Sequence, residues 1–448
     1  MKSLSRAIMA LAALAGVALA LLQQVVAVSP EPLGGGVYVA GEVLVKFKPV
    51  SSAQDRIASV AALGHAVVAN LHQPGWVRVR VATGQSIGQV LATYQSDTRV
   101  AAAQPNYIYR NAAVPNDANY GQLWAFKNSG QIVGTGSYVP RSGAAGDDMG
   151  LELAWDHIAD CSSVVVAVID SGVNYTHQDL GSNMWDGGAG FPNHGHDFVD
   201  NDNDPMDQSG HGTHVAGILG AVGNNGTGTT GVCQRTRIMA VRVLDDTGTG
   251  TTATTMQGIG FAVTHGARII NMSLAGIGGF DPALSDAITQ AQNGDVVVIV
   301  AAGNEGRNND LAGNATFPCA FTQPNLLCVA ALDQNYALAA FSNWGPTSVD
   351  LGAPGTNILS TWGGAGSNSS SYNTLDGTSM AAPQVAGLAT MLRAFNPQYT
   401  YADTVSAIRN GGRAADALAG ITATGKAADG MPSLAYINPP TGLTATLQ

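Results

Sequence analysis

Three residues of different chemistry fall where short elements would end or begin. Asp170 closes the apolar run 164–169 and is followed by Ser171-Gly172. His211 opens His211-Gly-Thr-His-Val-Ala-Gly217, and Ser379 lies in Gly377-Thr-Ser-Met-Ala-Ala-Pro383. A serine hydroxyl is a poor nucleophile until a base takes its proton. Histidine can do so near neutral pH, and a buried carboxylate fixes the imidazole tautomer and stabilises the imidazolium. Each residue alone has a plainer role: a turn or cap for Asp170, a solvent-facing ring for His211, an N-cap for Ser379. The three together, in this order, are much harder to explain that way. Small residues around Ser379 let a substrate approach, and a helix N-terminus favours developing negative charge. Pro383 is expected in the first helical turn, where amides lack intrahelical acceptors.

Elements able to position these groups follow from the pattern. Continuous apolar runs at 164–169, 238–244, 269–274 and 296–302 read as strands buried on both faces, as in a parallel sheet. Helix-like stretches at 213–222, 252–265 and 282–292 lie between them, which argues α/β with helices on both faces and ligands at the carboxyl ends of the strands. Residues from about 28 to 110 differ. Strands at 42–48, 76–81 and 103–109 and helices at 52–63 and 87–94 make a small α+β unit. A polar stretch, 111–119, reads as a linker, and Pro439-Pro440-Thr-Gly-Leu-Thr-Ala-Thr446 resembles another.

Composition excludes several classes. Of 448 residues, 45% are hydrophobic and 11% charged, so the chain is neither wholly disordered nor a coiled coil. Its 56 glycines show no triplet period, which excludes collagen and implies many tight turns. A net charge of −11 argues against a nucleic-acid binder working by phosphate neutralisation. Residues 1–111 carry nine Lys/Arg and four Asp/Glu, whereas 112–448 carry 11 and 27. Opposite charge would help the first part bind the second.

Residues 1–27 read as a secretory signal, with Lys2 and Arg6 before an almost purely apolar stretch. Ala18-Leu19-Ala20 and Val25-Val26-Ala27 both offer small-residue cleavage sites. An uncleaved anchor is the alternative, although the run is slightly shorter than the ~20 residues a span needs. Four cysteines in an exported chain favour two disulfides over zinc, since no C-x2-C spacing occurs. Cys319 and Cys328 could close a local loop, and Cys161 and Cys233 each precede a predicted strand. All three connectivities stay open.

The segments Val166-Ala-Val-Ile-Asp-Ser-Gly172, His211 to Gly217 and Gly377 to Pro383 resemble the three signature segments of subtilisin-like serine proteases (subtilases) of the secreted bacterial, thermitase-like type. The resemblance runs from about 119 to 434. It implies a subtilisin-like three-layer α/β fold with a mainly parallel central sheet, preceded by a small α+β inhibitory propeptide. The implied domains are signal 1–27, propeptide 28–111, processing linker 112–118, catalytic domain 119–437 and tail 438–448. It assigns Asp170 to orient the base, His211 as general base and acid, and Ser379 as nucleophile; His214 is the motif's second histidine. Asn304, in Ala301-Ala-Gly-Asn-Glu-Gly306, matches the oxyanion-hole asparagine. The family binds peptide as an added strand, and the matching edge is Ser273, Leu274, Ala275 and Gly276, with Ala301, Ala302 and Gly303 opposite. Ala275 stands where the family commonly has Gly. These small, uncharged walls imply a broad, apolar preference.

Calcium is expected at two places. Asp197, Asp200, Asp202 and Asp204 crowd one loop and repel unless a cation intervenes. That loop resembles a calcium loop of thermitase-like subtilases and lacks the Gly and terminal Glu of an EF-hand; its plain alternative is a solvated acidic loop. By resemblance, Asp179 and Asn225, with carbonyls of Gly223, Thr227 and Thr229, form the second site, and both sites would be structural. Met380, beside the nucleophile, is an expected oxidation-sensitive position or a packing residue.

These readings converge on a secreted, calcium-stabilised, monomeric serine endopeptidase made as a self-inhibited zymogen. Its partners are polypeptide substrates and its own propeptide, with no nucleic acid and no membrane in the mature form. Two alternatives are a catalytically inactive peptide-binding protein on the same fold and an esterase with the same triad. The second is weakened by the lack of a Gly-x-Ser-x-Gly elbow.

Overall fold

In the N-terminal unit, alternation sends Val43, Val45 and Phe47 of β1 (Tyr38–Phe47) into a core that also takes Val77 and Val79 of β3 (Trp76–Arg80). With β2 (Ala66–Asn70) and β4 (Val100–Tyr107) these form an antiparallel sheet in the order β2-β3-β1-β4. Helix α1 (Ala53–Ala62) starts at a capping box between Ser52 and Asp55, and α2 (Ile87–Ser96) buries Ile87, Val90, Leu91 and Tyr94. β2 was not expected from the pattern. Its five residues do not alternate, and its middle is only half-buried. The last strand also begins earlier than expected, at Val100.

The computed structural model describes residues 38–49, 52–82, 85–107, 114–134, 141–277, 279–364 and 368–436. The expected signal at 1–27, with its cleavage sites, and the tail at 438–448 lie outside these residues. By contacts the chain forms two units, Met1–Asn111 and Ala112–Gln448.

In the second unit, apolar runs become β5 (Asp160–Asp170), β7 (Arg235–Arg242), β8 (Ala267–Met272), β10 (Val297–Ala301), β12 (Leu326–Leu332) and β13 (Leu351–Pro354), and the polar segment β6 (Gly195–Asp197) adds an edge strand. Two-residue strands β9 (Gly276–Ile277) and β11 (Thr316–Phe317) pair outside the main sheet. β14 (Arg413–Ala414) and β15 (Lys426–Ala427) complete its edge. The main sheet has the order β14-β15-β13-β12-β10-β8-β5-β7-β6 and is parallel except for β14 against β15. β12 and β13 were not among the expected strands: Leu326–Leu332 is as long an apolar run as those that were, whereas Leu351–Pro354 is four residues with a glycine and a proline.

Side chains alternate between two cores. Val166, Val168, Ile238 and Ile269 face α3 (His211–Gly220) and α6 (Thr378–Phe395). Ala167, Ile169, Met239 and Ile270 face α4 (Thr252–Thr264) and α5 (Pro282–Asn293). This is the expected three-layer arrangement. Disulfides join Cys161 to Cys233 and Cys319 to Cys328, at Cα separations of 5.9 and 5.1 Å. The first ties the start of β5 to the segment before β7. The strand order also fixes where a ligand can bind. From β5 the chain runs to β6 and β7 on one side and then returns to β8 on the other, so the crevice opens at the carboxyl end of β5.

Candidate active site

That end of β5 is Asp170, which is fully buried. Its carbonyl accepts from the amides of Val243 and Leu244, which pins the strand terminus. Its Oδ1 accepts from the Ser171 amide (2.8 Å) and from His211 Nδ1 (2.7 Å). With Nδ1 donating, Nε2 is left as the proton acceptor of a neutral ring. α3 can come this close because residue 212 is glycine: a Cβ there would lie 2.1 Å from the Gly172 carbonyl oxygen and 3.2 Å from the Asp170 Cβ. Burial alone would push the His211 pKa down. The charge of Asp170, its hydrogen bond and the charge of Asp207 outweigh that and raise it above the usual 6.5.

His214, one turn on, has the opposite character. It is fully buried, and its Nε2–H donates to the carbonyls of Ile358 (3.1 Å) and Asn373 (3.0 Å). Burial pushes its pKa down to about 3, so it stays neutral with its proton committed to backbone. A ring held this way cannot serve as the base.

Ser379 is the second residue of α6, where a backbone N–H has no intrahelical acceptor. Pro383 is not in the first turn, as expected, but is the sixth residue of the helix. There it lacks the N–H that would bond the Ser379 carbonyl. The Ser273 hydroxyl takes over that bond, donating to Ser379 O at 2.8 Å. In return the Ser379 hydroxyl donates to the Ser273 carbonyl (3.1 Å), while Asn271 Nδ2 donates to Ser273 Oγ (2.9 Å). The loss at Pro383 therefore fastens Ser379 to the edge expected to bind substrate. Met380 is buried in the core beneath.

Asn304 lies just beyond β10, next to buried Ala301, Ala302 and Gly303. Its Oδ1 accepts from both the amide and the hydroxyl of Thr378, each at 2.9 Å. The oxygen end is thus occupied by Thr378, which leaves the NH2 as the end able to donate to a different group. The Thr378 hydroxyl in turn accepts from the Gly303 amide (3.1 Å). Gly303 has φ +105°, and a Cβ on it would lie 2.4 Å from Asn343 Nδ2, so this turn requires glycine.

His211 and Ser273, Leu274, Ala275 and Gly276 line one cleft of about 720 Å3. Leu244, Leu274, Leu284 and Phe317 supply its apolar surface, and threonines between 247 and 255 its hydroxyls. β9 begins at Gly276 and pairs antiparallel with β11, which holds this wall in place.

The expected metal ligands separate into two cases. Asp197 and Asp200 both receive Arg242 Nη1, so the cation between them is a guanidinium. Asp202 accepts from the Asp204 amide, and Asp204 from the Tyr175 hydroxyl. Asp179 is fully buried. Its carboxylate accepts from Asn225 Nδ2 (2.7 Å), the Thr229 amide (2.7 Å) and the Tyr372 hydroxyl (3.1 Å), and the loop bearing Gly223 and Thr227 folds round it. Asp117, which the sequence reading missed, is buried beside the same loop and accepts from the amides of Asn224 and Asn225. Burial raises the pKa of both carboxyls, and the charge of Asp117 raises Asp179 further. Two buried carboxyls for which ionisation is costly fit a divalent cation. Among the described residues, however, no three His, Cys, Asp or Glu side chains converge as a ready-made cluster.

Comparisons with known proteins give the family. Residues 162–424, which include Asp170, His211, Asn304 and Ser379, match the profile of the Subtilase family, and residues 26–106 match the fervidolysin N-terminal prodomain. The chain is 38% identical over 361 residues to a thermophilic serine proteinase of Bacillus sp. (strain AK1), covering 80% of this chain and 79% of that one. It is 43% identical over 239 residues to thermitase of Thermoactinomyces vulgaris, covering 53% and 77%. Among solved structures, a protease of Pseudoalteromonas arctica PAMC 21717 superposes with a TM-score of 0.58 at 28% identity, over 72% of this chain and 99% of that one. A cold-adapted subtilisin-like serine proteinase gives 0.51 at 28% identity, over 69% and 98%. Nothing in the site or the relatives favours the inactive alternative. A buried carboxylate–imidazole pair at the sheet's switch point and a family match over more than half the length together mean that the chain belongs to the subtilase family, as a serine endopeptidase with its own N-terminal prodomain.

Proposed function

We propose that the chain hydrolyses peptide bonds through Asp170, His211 and Ser379, with Asn304 as oxyanion donor. The observation that carries this is the 2.7 Å hydrogen bond from His211 Nδ1 to fully buried Asp170. For the reaction the Ser379 hydroxyl must leave the Ser273 carbonyl, to which it donates at 3.1 Å, and turn to His211 Nε2. Ser379 Oγ then attacks the scissile carbonyl carbon while its proton passes to Nε2. The oxyanion that forms takes hydrogen bonds from Asn304 Nδ2 and the Ser379 amide. Collapse breaks the C–N bond, and the imidazolium gives its proton to the leaving amine. Water, deprotonated by His211, then hydrolyses the Ser379 ester and restores the hydroxyl. Extended substrate adds as a strand along Ser273–Gly276, and the apolar walls favour apolar side chains.

The chain is made with an export signal at 1–27 and an inhibitory prodomain at 28–111, which is removed by cutting within about 109–118, around the processing linker at 112–118, to free a monomeric catalytic domain at 119–437, with a tail at 438–448. Secretion accords with two disulfides, and no helix among the described residues is long and apolar enough to cross a membrane. Calcium at Asp179, Asn225, Gly223, Thr227 and Thr229, joined by Asp117, would stabilise the loop that packs beside α3. A second ion at Asp202 and Asp204 is the weaker assignment, since Arg242 already neutralises Asp197 and Asp200.

A serine-directed fluorophosphonate tests the assignment. The matured parent should take one label at Ser379 and digest an unstructured protein, while Ser379→Ala should do neither. Labelling that persists in Ser379→Ala would place the nucleophile elsewhere. Turnover of a simple ester without turnover of peptide would favour the esterase.

A further inference from the structure

Asp207, whose charge helps raise the His211 pKa, is 2% exposed and lies between the end of β5 and the start of α3. Its Oδ1 accepts from the Ser171 hydroxyl (2.9 Å), the Ser209 amide (3.0 Å) and the Gly210 amide (2.8 Å). Its Oδ2 accepts from the amide (2.9 Å) and hydroxyl (2.6 Å) of Thr213. Five donors converge on one buried carboxylate.

Part of this is capping. α3 has glycine at its N-cap, with no side chain of its own to take the first-turn amides, and Asp207 takes one of them from outside the helix. Capping does not account for the Ser171 bond. Ser171 is the neighbour of Asp170, and its hydroxyl also accepts from the Gly212 amide (3.0 Å), the residue after His211. The Thr213 hydroxyl further accepts from the Asn174 amide (2.8 Å), in the loop that leaves β5. Asp207 thus holds both elements that carry the carboxylate–imidazole pair, at positions adjacent to each member.

We propose that Asp207 is a positioning residue: through Ser171 and Thr213 it sets the register between β5 and α3 in which Asp170 meets His211. The inference rests on the assignment of Asp170, His211 and Ser379 proposed above. Its charge also acts at a distance, since Asp207 joins Asp170 in raising the His211 pKa. The titratable groups facing His211 are Asp170 from β5, Asp207 from the preceding loop and His214 from α3 itself, which stays neutral.

Asp207→Asn in the matured full-length product tests this. The amide keeps the shape but replaces one acceptor oxygen by a donor, so one of the two donor sets is lost. The expected result is a fall in kcat of about 10-fold with KM changed by less than about twofold. The acid limb of kcat/KM should also move down by about half a pH unit, because a nearby negative charge is gone. A lower Tm with kcat and acid limb both at parent values would reduce Asp207 to a helix cap and overturn the proposal. Should Asp207→Asn fail to fold, Ser171→Ala cuts the link to β5 and leaves the charge: kcat should fall with the acid limb unmoved, and an unchanged kcat overturns the proposal. Fluorophosphonate labelling separates the two levels. A parent not labelled at Ser379 overturns the triad assignment and this inference with it. A labelled parent with kinetically unaltered variants overturns only the role of Asp207.

Discussion

The two sides of the cleft hold their reactive groups by different physics. On the β5–α3 side, His211 is set by carboxylates: Asp170 in direct contact and Asp207 behind it. On the α6 side, Ser379 and Asn304 are set by neutral donors and acceptors, the hydroxyls of Ser273 and Thr378 and a backbone carbonyl. Interactions with a carboxylate depend on its protonation and on screening, whereas neutral hydrogen bonds depend on geometry alone. The pH dependence of the enzyme should therefore reside on one side and its oxyanion stabilisation on the other.

Substitutions on each side can break that division. Ser379→Ala should cost about 10⁶-fold in kcat, and Asp170→Asn about 10⁴-fold, since the amide leaves the imidazole in the wrong tautomer. Asp170→Asn should also move the acid limb of kcat/KM, because it removes the nearest charge holding the His211 pKa up. In the parent that limb should lie above the ordinary imidazole value of 6.5, with activity lost as pH falls through it. Asn304→Leu should cost about 10²–10³-fold in kcat, the usual cost of one oxyanion donor, and leave the limb where it was. Thr378→Val should cost less, about 10-fold, by removing one of the two hydrogen bonds that hold Asn304 Oδ1, with recovery in Thr378→Ser. An acid limb that moved with Asn304 or Thr378 would show that the two sides are not electrically separate.

Histidine makes the same contrast within one helix. His211 is raised and His214 lowered to about 3, although they are three residues apart. A histidine depressed in the folded state favours folding above its unfolded pKa of about 6.5, and that stability is lost as pH falls from there toward 3. The loss approaches about 5 kcal/mol only as pH falls to the folded value of about 3. The Tm should therefore decline as pH falls below about 6.5, and His214→Gln should flatten that decline in chemical or thermal unfolding series.

How far the sequence reached depends on range. Asp170 at a strand end and His211 and Ser379 at helix starts were legible because each is marked by its own neighbours. So were four strands of the central sheet, β5, β7, β8 and β10, whose continuous apolar runs register as buried blocks. Asp117 and Asp207 were not, because each owes its meaning to loops that only folding brings near: residues 224–225 for the first, Ser171 and Thr213 for the second. Pro383 was misplaced by one turn for a related reason. The acceptor it releases is satisfied by Ser273, 106 residues from Ser379, and no local rule supplies that partner.

The two acidic loops carry the comparison to stability and give the smallest expected effect. Carboxylate density pointed to 197–204 as one of the two expected ion sites. In the fold, Arg242, 7% exposed, supplies the counter-charge for Asp197 and Asp200, whereas burial raises the pKa of Asp117 and Asp179. A cation is needed most where the protein provides none. A chelator should lower the Tm by about 5 °C, the shift expected if an ion at about 100 times its Kd contributes ~2.7 kcal/mol. It should leave kcat per folded molecule unchanged. Asp179→Asn should abolish the chelator's effect, and Asp202→Asn should preserve most of it. The reverse pattern would move the ion to the exposed loop and make counter-charge a poor guide to where it binds.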